Sequence, residues 1–171
     1  MTHPVQTMWA GRFIVARREG NWEYVGRSRG IRAAVILAID AGEVLLVEQY
    51  RVPLKAMCLE LPAGLVGDED STEPVEIAAA RELEEETGYR AEAIEVIGEF
   101  ASSPGMVSET FTLVRANGLT RVGAGGGVDG EDITVHRVAL SGIADFIAAK
   151  RAEGCVIDVR LLTLLGAALV G

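Results

Sequence analysis

Between Gly67 and Tyr89, residues able to do chemistry stand at fixed spacing. The run is Gly67, five residues, Glu73, seven residues, then Arg81-Glu82-Leu83-Glu84-Glu85-Glu86-Thr87-Gly88-Tyr89. On a helix, positions three and four apart are neighbours, so Glu82, Glu85 and Glu86 project to one side. Like charges at those spacings cost roughly 0.2–0.5 kcal/mol per pair, and acids near a helix C-terminus meet the negative end of its dipole. Helical spacing lets Arg81 reach Glu85 and Arg90 reach Glu86, but Glu82 has no basic residue four places on. A solvated acidic face is the plain alternative. A hard divalent cation such as Mg2+ or Mn2+ reverses the balance, because it takes carboxylate oxygens and neutralises their repulsion. The spacing therefore offers metal-assisted chemistry.

Two competing motifs fail on spacing. Asp68 to Glu73 hints at a calcium loop, but Glu73 stands where that loop needs Gly, and Ala79 where it needs Glu. Gly125 to Gly130 formally satisfies G-x-G-x-x-G, yet it runs into the β-branched Ile133-Thr134-Val135 instead of opening a helix.

The elements that must position these residues are mostly strands. Phe13–Arg17 and Trp22–Arg27 read as a short strand pair around Gly20-Asn21, and Arg32–Asp40 with Glu43–Tyr50 as a second hairpin across Ala41-Gly42. Leu59–Leu61 is a short strand before Pro62-Ala63-Gly64. From Pro74 to Thr87, Val75, Ala79 and Leu83 recur every four residues, and Pro74 suits a first helical turn. Gly88 stands where a left-handed cap is expected. Strands follow near Ala93–Ala101, Thr110–Ala116 and Ile133–Leu140, with closing helices at Ile143–Arg151 and Val159–Leu169. Arg121–Gly130, with five glycines, is expected to be a mobile loop. This order predicts α+β layers rather than a βαβ repeat.

With 171 residues, 49% apolar and 24% charged, the chain suits one globular domain with a small appendage. A net charge of -9, with no basic run longer than Arg17-Arg18, argues against a nucleic-acid partner. Cys58 and Cys155 lack metal or redox spacing and read as buried thiols. Neither a signal peptide nor a membrane-spanning run is evident, so a cytoplasmic protein is the expectation.

The run from Gly67 to Tyr89 resembles the Nudix box of pyrophosphohydrolases, G-x5-E-x7-R-E-U-x-E-E-x-G-U with U bulky and apolar, at every defined position. Glu48-Gln49-Tyr50-Arg51, Glu60-Leu61-Pro62-Ala63-Gly64 and Pro104, 15 residues past Tyr89, are similar to segments of the ADP-ribose (ADP-sugar) pyrophosphatase branch. The resemblance implies an α/β/α sandwich around a mixed sheet, divided into a strand extension over 1–30 and a hydrolase domain over 31–171. It implies cleavage of ADP-ribose or a related ADP-sugar to AMP and a sugar phosphate, with Mg2+ or Mn2+. Another nucleoside diphosphate sugar, such as GDP-mannose, is the alternative substrate, and a non-catalytic binding module the alternative role.

Carried over by position, Glu82 and Glu86 match the principal metal ligands and the Ala63 carbonyl a main-chain ligand, Glu85 is a further ligand or partner, and Arg81 orients a box carboxylate, Glu85 and Arg81 counting with the catalytic residues. Glu73 supports that network, and Gly67 and Gly88 permit turns. Asp129-Gly130-Glu131 resembles the loop that supplies the catalytic glutamate, making Glu131 the base, with Glu109 as runner-up and His136 and His3 behind. Trp22-Glu23-Tyr24-Val25-Gly26-Arg27 is similar to a W-E-x-x-x-R stretch in which two aromatics sandwich the base across a homodimer. Here these would be Phe13 and Trp22, whose alternative is core packing. Glu23 would read a base edge, and Arg27 and Arg51 would hold base or phosphate.

Overall fold

The computed structural model describes residues 3–28, 31–67, 72–128 and 130–170. The boundary expected between 30 and 31, the acidic stretch 68–71 and Asp129 fall wholly or partly outside them.

The expected amino-terminal hairpin is a three-stranded antiparallel sheet. β1 (Gln6–Ala10), β2 (Ile14–Glu19) and β3 (Trp22–Arg27) pair in sequence order, with Glu19 opposite Trp22 and Ile14 opposite Arg27. β1 escapes a periodicity reading because all five of its residues are exposed, leaving no apolar alternation to detect. Phe13 lies in the connection before β2, not within the strand.

The remainder is built outward from a hairpin of β4 (Arg32–Asp40) and β5 (Glu43–Arg51), which pair only at their closed end. Beyond it β4 turns to β9 (Thr110–Arg121), in parallel, and to β7 (Ala63–Val66). β5 turns to β6 (Ala56–Glu60) and β10 (Thr134–Ala139). β8 (Tyr89–Ala101) edges one wing beside β9, and β11 (Val156–Ile157) edges the other, parallel to β6. β7 and β11 were not expected; four- and two-residue strands are too short for a period to show.

The helices cover both faces. α1 (Val75–Thr87) packs Ala78, Ala79 and Leu83 on Ile36, Leu45, Val66 and Val114. α2 (Ile143–Ala152) and α3 (Leu162–Val170) enclose a second cluster with Val44, Leu46, Leu59 and Leu61. Alternate residues of the apolar strand β5 serve the two cores: Leu45 faces one and Leu46 the other. The expected layered α+β sandwich is what forms. No described helix is long and apolar enough to cross a membrane.

Candidate active site

α1 starts after Pro74, whose extended backbone (ψ 144°) forms the N-cap, and ends on Gly88 at φ 73°, whose N–H bonds the Glu84 carbonyl. The Gly88 end is as expected, because glycine enters the left-handed region without a Cβ clash; Pro74 stands one residue before the expected first turn, as the N-cap. The acids of the last turns are arranged less simply. Arg90 pairs with Glu84, at 3.0 Å through two nitrogens, rather than with Glu86. Tyr89 already begins β8, so Arg90 leaves along the strand and misses the helical i+4 position.

Arg81 organises the first part of the acidic face. Its Nη1 lies 3.0 Å from Glu82 and 3.2 Å from Glu85, and its Nε lies 3.6 Å from Glu73. Glu86 is different. It is 6% exposed, accepts the Ala63 backbone N–H at 3.0 Å, and has no cationic partner within ion-pair distance among the described residues. Burial pushes its carboxyl up to about 8, Glu82 and Glu131 add to the rise, and the Ala63 N–H opposes it. Burial likewise raises Glu82, against the pull of Arg81. Gly64 lies directly under the Glu82 side chain, where a Cβ would overlap the carboxylate. β7 thus brings the Pro62-Ala63-Gly64 backbone against Glu82 and Glu86.

This donor set fits a hard divalent cation. A buried carboxylate without a cationic partner, beside a second raised one and the start of β7, is an unfavourable arrangement that a bound ion would relieve. Among the described residues no three acidic, His or Cys side chains already converge as a finished cage. Arg81 occupies Glu82 and Glu85 instead.

The glycine segment after β9 is tied down rather than free, which corrects the expectation of a mobile loop. Gly126 N–H donates to the Glu86 carbonyl at 2.8 Å, Gly127 N–H to that of Glu85 at 3.0 Å, and Val122 and Gly123 both donate to Gly88. The last carbonyls of a helix lack intrahelical donors, and this segment supplies them. A Cβ at Gly125 would overlap the Thr87 carbonyl, so glycine here allows close approach as well as its φ of 69°. Glu131 follows, its Oε2 accepting the Val128 N–H at 3.2 Å. It lies near enough to help raise both Glu82 and Glu86. Glu109 instead receives Arg27 Nε at 2.6 Å. His136 bonds Glu48 at 2.7 Å on the α2 face, and His3 is exposed beside Gly20.

The aromatics of the amino-terminal sheet are not core. Phe13 is 48% and Trp22 65% exposed. They sit at opposite ends of the β2–β3 ribbon, about 20 Å apart at ~3.3 Å per residue, so one chain cannot close both on one base. Glu23 is exposed on β3. Val25 exchanges backbone bonds with Met106 and Ser108, docking the sheet on the turn that contains Pro104. Arg51 reaches Glu60. Sequence reasoning missed the burial of Glu60 beside Arg51; an acid in an otherwise apolar strand was the available signal.

The NUDIX domain model matches residues 28–131. Over 134 residues the chain is 36% identical to a methanol dehydrogenase activator from Bacillus methanolicus, covering 77% of this chain and 71% of the other. It is 41% identical over 87 residues to an ADP-ribose pyrophosphatase of Bacillus subtilis, 51% of this chain and 45% of that one. Against a GDP-mannose pyrophosphatase of Cronobacter sakazakii it is 35% identical over 146 residues, 80% and 72% of the two chains. The crystal structure of an ADP compounds hydrolase shares the fold, with a TM-score of 0.73 at 23% identity over 100% of this chain and 94% of that one.

Proposed function

This chain belongs to the NUDIX family and is a hydrolase of that family, and from that premise we propose that it cleaves the diphosphate of a nucleoside diphosphate sugar, ADP-ribose first, to AMP and ribose 5-phosphate. The observation that carries the reading is the junction of separate parts of the chain at α1: Glu86 accepts the Ala63 N–H, Gly64 lies under Glu82, and the segment leading to Glu131 bonds the Glu85 and Glu86 carbonyls. Glu82, Glu85, Glu86 and the Ala63 carbonyl would hold Mg2+ or Mn2+. Such a cation neutralises diphosphate charge, polarises phosphoryl oxygens and acidifies water.

The chain's own groups do the rest. Arg81 keeps Glu82 and Glu85 oriented without touching substrate. Glu131 takes the proton of the attacking water on a carboxylate oxygen and, being exposed, passes it to solvent. Glu109 is a poor competitor, since its carboxylate is already held by Arg27 Nε at 2.6 Å. Arg51 bonds the phosphates, and Glu23 reads the base edge. Phe13 and Trp22 stack on the base from two copies of the chain, which makes the active species a homodimer.

Incubation with ADP-ribose and Mg2+ should release AMP and ribose 5-phosphate in equal amounts. Hydrolysis of no nucleoside diphosphate sugar, with either Mg2+ or Mn2+, would overturn the reading. GDP-mannose is the second substrate to assay, because the GDP-mannose pyrophosphatase aligns over more of this chain than the ADP-ribose pyrophosphatase does. Sedimentation at micromolar concentration should give a dimer; a fully active monomer would sink the shared base site.

A further inference from the structure

Glu60 is 2% exposed and ends β6, held between two arginines that lie far apart in sequence. On one side Arg51 donates Nε to Oε1 at 2.5 Å and Nη2 to Oε2 at 2.8 Å. On the other, Arg160 Nη2 donates to the same Oε2 at 3.3 Å. Arg160 is itself fixed by Asp158, through Nε at 2.6 Å, Nη2 at 2.7 Å and its backbone N–H at 2.8 Å. Its guanidinium also lies 5.9 Å from the Phe111 ring.

The placement follows from β11. Val156 and Ile157 pair in parallel with Cys58 and Leu59, and Asp158 N–H bonds the Leu59 carbonyl at 3.0 Å. Asp158, one step past the pairing, therefore comes beside Glu60 at the end of β6. It also caps the one-turn helix Val159–Leu161 that carries Arg160. The result is an alternating row: Arg51, Glu60, Arg160, Asp158. Only the Arg51 end is well exposed, at 41%, and its charge is felt at Glu86.

We infer that Arg160 is a positioning residue for substrate: through Glu60 it sets the charge and direction with which Arg51 meets the diphosphate. This rests on the reading that Arg51 binds substrate phosphate. With Arg160 present, two guanidiniums balance two carboxylates, and Glu60 is shared between them. Without it, buried Glu60 and partly exposed Asp158 face one guanidinium. Arg51 is then drawn inward, and the row becomes net negative where a polyanion must bind. Glu131 and the box glutamates keep their partners, so the chemical step is left alone.

The test is a double-mutant cycle on Arg51→Met and Arg160→Met, with ADP-ribose and Mg2+ as probe. Losing one charge-assisted phosphate contact, Arg51→Met should raise KM about tenfold or more. Arg160→Met should raise KM about fivefold while kcat stays within about twofold, and the double variant should match Arg51→Met alone. Arg160→Lys keeps the charge but lacks the planar fork that bonds both Asp158 oxygens, and should fall between Arg160→Met and the parent. An unchanged KM in Arg160→Met, or effects that multiply in the double variant, would overturn the inference. An Arg51→Met enzyme with the parent KM would remove the reading of Arg51 itself, a separable failure. Should Arg160→Met not fold, Arg160→Lys paired with Arg51→Met carries the same comparison.

Discussion

Around α1, functional groups are fixed by backbone within a single chain, whereas on the amino-terminal sheet they stand in the open. Glu86 is sealed under the Ala63 N–H, and the segment leading to Glu131 is bonded to the carbonyls of Glu85 and Glu86 themselves. Phe13 and Trp22 have no such enclosure, and the ribbon between them holds them apart. On the proposed function, the contrast separates two tasks. In-line displacement at phosphorus tolerates little misplacement, so the groups that act on it share one rigid frame. Recognition of a base needs stacking area, which a second chain can complete.

The comparison can be broken first at Glu86. Glu86→Gln should cut turnover about a hundredfold or more, since a cation ligand is lost. Its thermal midpoint should not fall, because a neutral amide still accepts the Ala63 N–H as the mostly neutral buried carboxyl does. Loss of folding with loss of activity would mean that the carboxylate is structural. Next comes the bonded glycine segment. Gly125→Ala puts a Cβ into the Thr87 carbonyl at a left-handed φ and should lower both kcat and stability, the latter by about 1–3 kcal/mol. Parent-like kcat and midpoint would restore a loosely held loop.

On the other side of the contrast, Trp22→Ala should raise KM about fivefold and leave the thermal midpoint unchanged. A drop in midpoint would instead mark Trp22 as packing residue. The smallest effect is expected at Glu109→Gln, where kcat should stay within about threefold while Glu131→Gln loses far more. The reverse order would move the base to the loop before β9.

α1 was legible from end to end because its signals are local. Val75, Ala79 and Leu83 repeat at the helical period, Pro74 suits the start, and Gly88 suits the stop. The long strands were legible through their apolar runs, although β8 and β9 extend further than those runs, as one edge of the sheet is exposed and carries polar residues. β1, β7 and β11 were not legible. Their existence depends on a partner strand, and pairing of that kind leaves no period in so few residues.

The sequence by itself determined the box: which carboxylates share a helical face, and where that helix begins and ends. Those are consequences of 3.6 residues per turn and of charges a few positions apart. Tertiary structure alone decided that Glu86 would be buried and Glu85 half exposed, that the glycine segment would cap α1, and that Glu60 would stand between Arg51 and Arg160. Glu60 and Arg160 lie 100 residues apart. Contacts at that distance arise from sheet order and burial, and no local pattern encodes them.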